Sequence, residues 1–275
     1  MGSLFLALGA SLAWGFADFF GPLVSRTLGS LRVLFWAQVG GLLAIALAVA
    51  IRGQGPAGWA VLFAILASLG GMLGLFAYYR GMQRGAMSVV APIAGISAIV
   101  PVIFGIASGD SPSVPQIVGI ACALVGVGLA SIEHHEGSPR VAAGVGLALL
   151  AAVGFGFYFP WMHAAGKVDF WWASLVFRTT ALLLLAAVVA ARHTPLKLRP
   201  RDVVIVFAVG IGDTLGNVFF AASSSHGLVS LTSVLASLYP VVTVLLAASV
   251  LHERVARMQK AGIVLTLAGV VLISF

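Results

Sequence analysis

Two acidic side chains, Asp18 and Asp213, fall within long apolar stretches of a sequence that has 275 residues. An ionisable side chain in the hydrocarbon of a membrane costs about 3 kcal/mol or more, so such residues commonly mark a substrate or proton pathway. At helical spacing, Asp18 shares a face with Ser11 and Trp14, and Asp213 shares one with Asn217. Each acid could therefore bind a polar solute, and Asp18 could exchange a proton for it.

Both acids also have a structural interpretation. Arg178 is predicted at a similar membrane depth to Asp213 on an antiparallel helix, where the two side chains could pair. Asp18 lies near the end of its apolar stretch, where Arg80 or Arg84 could reach it. The sequence leaves structural pairing and substrate binding open for both acids.

Aromatic and hydroxyl side chains extend the candidate site. Aromatic rings with a polar edge can bind an amphipathic or aromatic solute. Pro92 and Pro240 are expected to interrupt two helices and free backbone carbonyls near two serines. The predicted substrate-binding residues are Trp14, Asp18, Tyr78, Ser97, Phe155, Tyr158, Arg178, Asp213, Asn217 and Ser237. We predict no catalytic residue, no metal site and no cofactor.

The elements that hold these residues are predicted to be helices that cross a lipid bilayer. Only 8% of the residues are charged and 61% are hydrophobic, whereas about a quarter of a soluble protein is charged. Crossing the hydrocarbon takes roughly 20 apolar residues. Ten such spans are predicted, at 3–24, 31–51, 58–79, 86–107, 114–132, 141–163, 170–191, 202–225, 228–250 and 257–275. The net charge of +7 is spread over the joints between spans, so no nucleic-acid surface is predicted.

An internal repeat divides the ten spans into two halves. Residues 12–16 align with residues 153–157, and glycines farther along the chain align at nearly the same offset. Because each half has five spans, the second half must enter the membrane from the opposite side. We predict an all-α polytopic membrane protein with inverted repeats at 1–137 and 138–275, which together form one transport domain.

Short motifs in the two halves resemble a known family. They are Trp14-Gly15 in the first span, Arg178 in the seventh, Leu238-Tyr239-Pro240 in the ninth, and Glu253-Arg254, Gln259 and Gly262 at the tenth. Their order and the repeat are similar to the EamA family of the drug/metabolite transporter superfamily over essentially the whole chain. One departure is Ala37, which stands where the first half would repeat Arg178.

The resemblance implies a secondary-active transporter of the bacterial cytoplasmic (inner) membrane. Such a multi-pass protein would export a small metabolite, an amino acid or a drug-like solute, by alternating access. It would be a monomer or a homodimer and not an enzyme. Coupling to protons through Asp18 is a hypothesis within this interpretation.

Two other functions stay open from the residues alone. Residues 210–213 read Gly-Ile-Gly-Asp, which matches a signature of intramembrane aspartyl proteases, with Asp18 as the second acid. The other motifs of those proteases are missing from the sequence. A membrane scaffold or channel is the second alternative. The sequence has no Walker A loop, so it predicts no ATP-driven transport by this chain alone.

Basic residues predict one orientation and the family resemblance predicts the opposite one. Most basic residues lie in joints after odd-numbered spans, including Arg80 and Arg199, whereas Arg52 and Lys167 lie in even-numbered joints. The positive-inside rule places the odd joints in the cytoplasm and both termini outside. The resemblance implies that both termini are cytoplasmic.

Overall fold

The computed structural model describes residues 2–55, 58–84, 94, 96–130, 141–251 and 257–275. Within these ranges the secondary structure is helical, without a strand. A short 3-10 turn at Ile96–Ala98 precedes the fourth helix. The helices are α1 (Gly2–Leu28), α2 (Ser30–Arg52), α3 (Gly58–Arg84), α4 (Ile99–Ala107), α5 (Val114–Ala130), α6 (Val141–Ala191), α7 (Pro200–His226), α8 (Val229–Ala236), α9 (Tyr239–Val250) and α10 (Arg257–Ile273).

Six helical segments in the described ranges are long and apolar enough to cross a membrane. They are Gly2–Leu28, Ser30–Arg52, Gly58–Tyr78, Gly146–Ala191, Pro200–His226 and Val229–Val250, and Val114–Leu129 is a shorter apolar helix. The predicted count of ten spans is therefore not confirmed, although the all-helical membrane class is. Gly146–Ala191 has 46 residues, which at 1.5 Å per residue is about 70 Å and too long for one crossing.

The long helix α6 breaks at Asp169, where the backbone is extended (φ −161°, ψ 105°). Oδ1 of Asp169 accepts hydrogen bonds from the backbone N–H groups of Trp171 at 3.0 Å and Trp172 at 3.2 Å, so Asp169 caps the arm that follows. Arg52, the last residue of α2, donates to both carboxylate oxygens at 2.7 Å. The break divides α6 into two arms, and their junction is held against the end of α2.

Large apolar side chains cover the outer surface of the helices. Ile51 is 79% exposed, Leu183 66% and Val204 74%. In water, so much apolar exposure on every long helix would cause association, whereas lipid is a good solvent for it. This distribution agrees with the prediction that the helices face a bilayer.

The third helix of each half packs against the first helix of the other half. A Cβ added to Gly70 of α3 would lie 3.1 Å from the ring of Phe157 in α6, and one on Gly212 of α7 would lie 3.3 Å from the ring of Phe16 in α1. Phe157 and Phe16 are aligned by the sequence repeat, as are the two glycines. Small residues let these helices approach closely, and the same contact occurs twice with the halves exchanged.

Contacts at the helix ends join the chain segments that the predicted topology places on one side. Arg32 Nε donates to Pro195 O at 2.8 Å, and Trp36 Nε1 donates to Leu196 O at 2.7 Å. These bonds link the start of the second predicted span, which adjoins the first joint, to the joint after the seventh span. The Arg52 ion pair described above links the joints after the second and sixth spans, so odd joints meet odd joints and even meet even.

The predicted break near Pro240 is confirmed. α8 ends at Ala236, and α9 begins at Tyr239 with Pro240 as its second residue, a position that suits proline because its missing N–H would be unpaired there. The break predicted at Pro92, the predicted boundary between the two halves at residues 137 and 138, and the Glu253-Arg254 motif lie outside the described residues.

Candidate functional site

A cavity of about 110 Å³ lies where helices of both halves meet. Its predicted members are Trp14, Asp18, Ser97, Phe155, Tyr158, Asp213 and Asn217, and the further lining residues are Gln38, Gly71, Met72, Leu75, Phe159, Phe177 and Tyr239. The space accommodates a small organic solute or several water molecules. Most of the residues singled out from the sequence are therefore brought together around one cavity.

An ion pair forms one wall of the cavity. Nη1 of Arg178 donates at 2.7 Å to Oδ2 of Asp213 and at 2.7 Å to Oε1 of Gln38. The Arg178 side chain is 1% exposed and the Asp213 side chain is 38% exposed. The carboxylate thus faces the cavity, while the guanidinium lies behind it. The pairing of Asp213 with Arg178 considered from the sequence is confirmed.

Glycine makes room for the buried guanidinium. A Cβ on Gly41 of α2 would lie 3.3 Å from Arg178 Nε and 2.7 Å from the carbonyl oxygen of Gly210 in α7. The ring of Phe177 lies 5.7 Å from Arg178 Cζ and gives a cation–π contact on another side. Arg178 is therefore enclosed by helix backbone and an aromatic ring and is sealed from the cavity.

A second polar contact joins α7 to the first arm of α6. The hydroxyl of Tyr158 donates to Oδ1 of Asn217 at 2.7 Å, and Nδ2 of Asn217 donates to the backbone oxygen of Asp213 at 2.9 Å. These bonds orient Asn217 beside the ion pair. The carboxylate of Asp213 and the amide of Asn217 thus occupy one polar face of the cavity, one helical turn apart.

Trp14 is the centre of an aromatic cluster under the same cavity. Its ring centroid lies 6.0 Å from Tyr158, 6.2 Å from Phe159, 6.1 Å from Phe220 and 6.4 Å from Tyr239. Several of these pairs are edge-to-face, the arrangement that aromatic quadrupoles favour. The cluster provides a rigid, largely apolar floor.

Asp18 also lines the cavity, but it has no basic partner among the described residues. The guanidinium of Arg80, one of the two partners considered from the sequence, lies 5.6 Å from the centroid of the Phe76 ring. The side chain of Arg84 is outside the described part of the structure. Asp18 therefore contributes a carboxyl group whose counter-charge is not supplied by any described side chain.

Three predicted site residues do not line the cavity. Tyr78 packs edge-on against Phe155, with the ring centroids 6.0 Å apart. Arg178 is sealed behind Asp213 as described above, and the hydroxyl of Ser237 donates to the backbone oxygen of Ser233 at 2.7 Å. In this conformation Tyr78, Arg178 and Ser237 are not themselves part of the lining. Tyr78 and Arg178 contact lining residues from outside the cavity.

Several lining residues lie outside the set predicted from the sequence. Gln38 is 4% exposed, and an amide in an apolar span carries the same signal as Asn217, so it could have been found. Met72, Leu75 and Phe177 carry no such signal, because apolar side chains in a membrane helix face lipid, protein or a cavity alike.

The geometry suits binding more than catalysis by paired acids. In an aspartyl protease two carboxyl groups share one proton, whereas Asp213 is ion-paired with Arg178 at 2.7 Å. The described residues thus lend no support to the protease alternative. They form a small cavity with an acidic and amide-bearing face, an aromatic floor and an apolar wall.

Comparisons with known proteins agree with this architecture. The model of the EamA-like transporter family matches residues 1–132 and matches again at residues 142–275. A solved structure described as "Crystal structure of protein" is similar in fold over 98% of this chain and 95% of its own, with a TM-score of 0.78 and 17% sequence identity. None of the curated proteins compared with the chain matches it. The two family matches confirm the resemblance inferred from the short motifs.

Proposed function

This chain belongs to the EamA-like transporter family, and we propose that it is a secondary-active carrier that exports a small metabolite by alternating access. The observation that carries this proposal is that positions related by the repeat meet at one cavity. Trp14 and Phe155 are aligned in the two halves, and both line the cavity. In transporters built from repeats, a site at the repeat interface becomes accessible to each side when one half rocks against the other.

The proposed membrane topology has ten spans in two inverted halves. Six long helical segments support it directly, and the break at Asp169 divides one of them into two arms of crossing length. The remaining spans would include α4, α5 and α10 with residues adjacent to them. A bacterial cytoplasmic membrane is the proposed location.

Proton coupling through Asp18 completes the proposed mechanism. A carboxyl group inside a membrane protein needs a proton, a cation or water as its partner. Since Asp18 lacks a basic partner among the described residues, a proton or a substrate can take that place in turn. Competition between the two for one carboxyl group would couple substrate export to proton entry.

A flux experiment tests the carrier function. Purified protein in proteoliposomes should show saturable uptake of a transported solute that a pH gradient accelerates. Asp18→Asn should abolish the effect of the gradient, because it cannot exchange a proton. Asp202→Asn, at the start of α7 beside Arg201, is the matched control and should transport normally. Flux without saturation would indicate a channel, and absence of flux for every solute tested would favour a scaffold.

Cysteine labelling tests the topology and orientation. With Arg199→Cys and Lys167→Cys in intact cells, a membrane-impermeant reagent should label one site and not the other, because the two lie in joints of opposite parity. The charge distribution predicts labelling at position 167 from outside. Labelling at position 199 instead would establish the orientation that the family resemblance implies, and labelling at both would contradict the topology.

A further inference from the structure

The charges around the cavity do not cancel. Asp18 and Asp213 are the acidic side chains among the described lining residues, and each carries one negative charge when it is ionised. Asp213 is neutralised by Arg178 at 2.7 Å, whereas Asp18 has no such partner among the described side chains. With both acids ionised, the cavity and its ion pair carry one net negative charge, and a ligand that brings one positive charge would balance it.

A ligand carboxylate finds no cationic partner among the described residues that line the same cavity. The Arg178 side chain is 1% exposed, and its Nε and Nη2 groups are buried without a hydrogen-bond partner in the described structure. A Cβ at Gly41 would lie 3.3 Å from Nε, so helix backbone occupies that side. The guanidinium is close to the cavity, yet a solute in the cavity cannot reach it. An anionic group there would lie in the same cavity as the carboxylate of Asp18, with no described cation to balance either charge.

The rest of the lining selects an amphipathic body. From α3, the lining includes Gly71, Met72 and Leu75. The floor includes Trp14 and Tyr239, whose ring centroids are 6.4 Å apart at 87°. An ammonium group close to these rings gains a cation–π attraction in addition to its ion pair with a carboxylate.

We propose that the cavity binds a small amphipathic organic cation, a protonated amine on an aromatic or aliphatic body, with Asp18 as its counter-ion. This inference rests on the proposed carrier function and narrows its substrate class. An amine is preferred to the corresponding amino acid, because the α-carboxylate of the amino acid has no cationic partner among the described lining residues. Amine and proton then compete for Asp18, so the amine leaves when a proton arrives.

Three probes of one skeleton test the inference on the purified full-length protein. Phenethylamine carries the ammonium group alone, phenylalanine carries ammonium and carboxylate, and 3-phenylpropionate carries the carboxylate alone. Binding is measured at neutral pH by quenching of tryptophan fluorescence, since Trp14 lines the cavity. We expect phenethylamine to bind about thirtyfold more tightly than either other probe, which is the effect of leaving one buried charge unpaired.

Substitutions assign the selectivity to Asp18. Asp18→Asn should weaken phenethylamine binding by about thirtyfold, whereas Asp18→Glu should retain most of the affinity because the charge remains. Asp202→Asn is the matched control outside the cavity, and a thermal melt of each variant establishes that it is folded. Equal binding of the three probes, or full affinity in a folded Asp18→Asn, would overturn the inference. The wild-type comparison of probes gives a result even where a variant does not fold.

Flux separates this inference from the carrier function. Saturable transport of phenylalanine or phenylpropionate, with no binding of phenethylamine, would overturn the cation specificity and leave the carrier proposal standing. Selective binding of phenethylamine without flux of any solute would overturn the carrier proposal. Saturable phenethylamine flux that depends on Asp18 supports both.

Discussion

The face of α7 that lines the cavity carries Asp213 and Asn217, whereas the repeat-related face of α3 carries Gly71 and Leu75. The two helices hold equivalent positions in their halves, and each packs on the first helix of the other half through glycines. Their backbones thus make matching contacts while their cavity-facing side chains differ completely in polarity. The two halves therefore share their helix packing but differ in the side chains that they present to the cavity.

The same asymmetry occurs on the first helices. Asp18 of α1 aligns with Phe159 of α6, and both line the cavity. Arg178, which balances Asp213, aligns with Ala37 in the first half. A symmetric cavity would present the same groups twice to a solute, whereas this cavity has one acidic face and one apolar face. An amphipathic substrate of the kind proposed above would therefore bind in a single orientation.

The largest expected effect is on stability, from breaking the ion pair on the polar face. Asp213→Ala leaves the buried guanidinium of Arg178 with only Gln38, which should cost about 3 kcal/mol. Gly71→Ala is the repeat-related change, and its Cβ would lie 3.2 Å from the end of the Phe177 ring, so its cost should be much smaller. Thermal unfolding in detergent measures both.

A double substitution checks the reason for that loss. Arg178→Met together with Asp213→Ala removes both charges and should recover part of the stability that Asp213→Ala alone loses. A double variant that is less stable than both single variants would show that the ion pair does not explain the effect.

A smaller effect, of similar size in both halves, is expected at two repeat-related glycines. A Cβ on Gly74 would lie 2.5 Å from Phe155 Cδ1, and one on Gly216 would overlap the indole of Trp14. Each change to alanine should cost about 1–3 kcal/mol by overpacking. Gly128→Ala is the control, since a Cβ there meets nothing within 4 Å. Destabilisation at one glycine with no change at the other would contradict the matched packing.

The smallest effect on stability should come from the hydrogen bond between Tyr158 of α6 and Asn217 of α7. Tyr158→Phe removes the hydroxyl that donates to Asn217 at 2.7 Å, at a cost of about 1 kcal/mol. Tyr239→Phe is a matched change on the same cavity at a hydroxyl without a hydrogen bond in the described structure, and it should cost less. A larger loss for Tyr239→Phe in unfolding measurements would reverse this assignment.

Much of the arrangement follows from sequence patterns with a simple physical basis. Membrane depth predicted that Arg178 and Asp213 could pair, and the alignment of glycines predicted that the two halves are related. The ion pair and matching glycine contacts are both present. Membership in the EamA-like family also follows from the order of short motifs, although the ten-helix count stays a proposal.

Other features depended on rotation and breaks that the sequence does not specify. A 3-10 turn at Ile96–Ala98 contains Ser97, which lines the cavity. The sequence predicts a uniform helix through this region, and such a helix would not specify the direction of the Ser97 side chain. Ser237 lies at an equivalent kind of break, yet its hydroxyl bonds within its own chain segment. Gln38 carries an amide within an apolar span, as Asn217 does, yet that polarity alone does not show that its side chain lines the cavity.

By itself, the sequence determined a helical membrane protein of two related halves, with acids where lipid could not solvate them, because these properties depend on composition, length and spacing. Only the tertiary structure decided which side chains share the cavity and which charge stays unbalanced. Those outcomes depend on the rotation of each helix about its axis and on the close helix contacts at glycines such as Gly41. Packing between distant segments sets both, and it thereby hides Arg178 while leaving Asp18 open to the cavity.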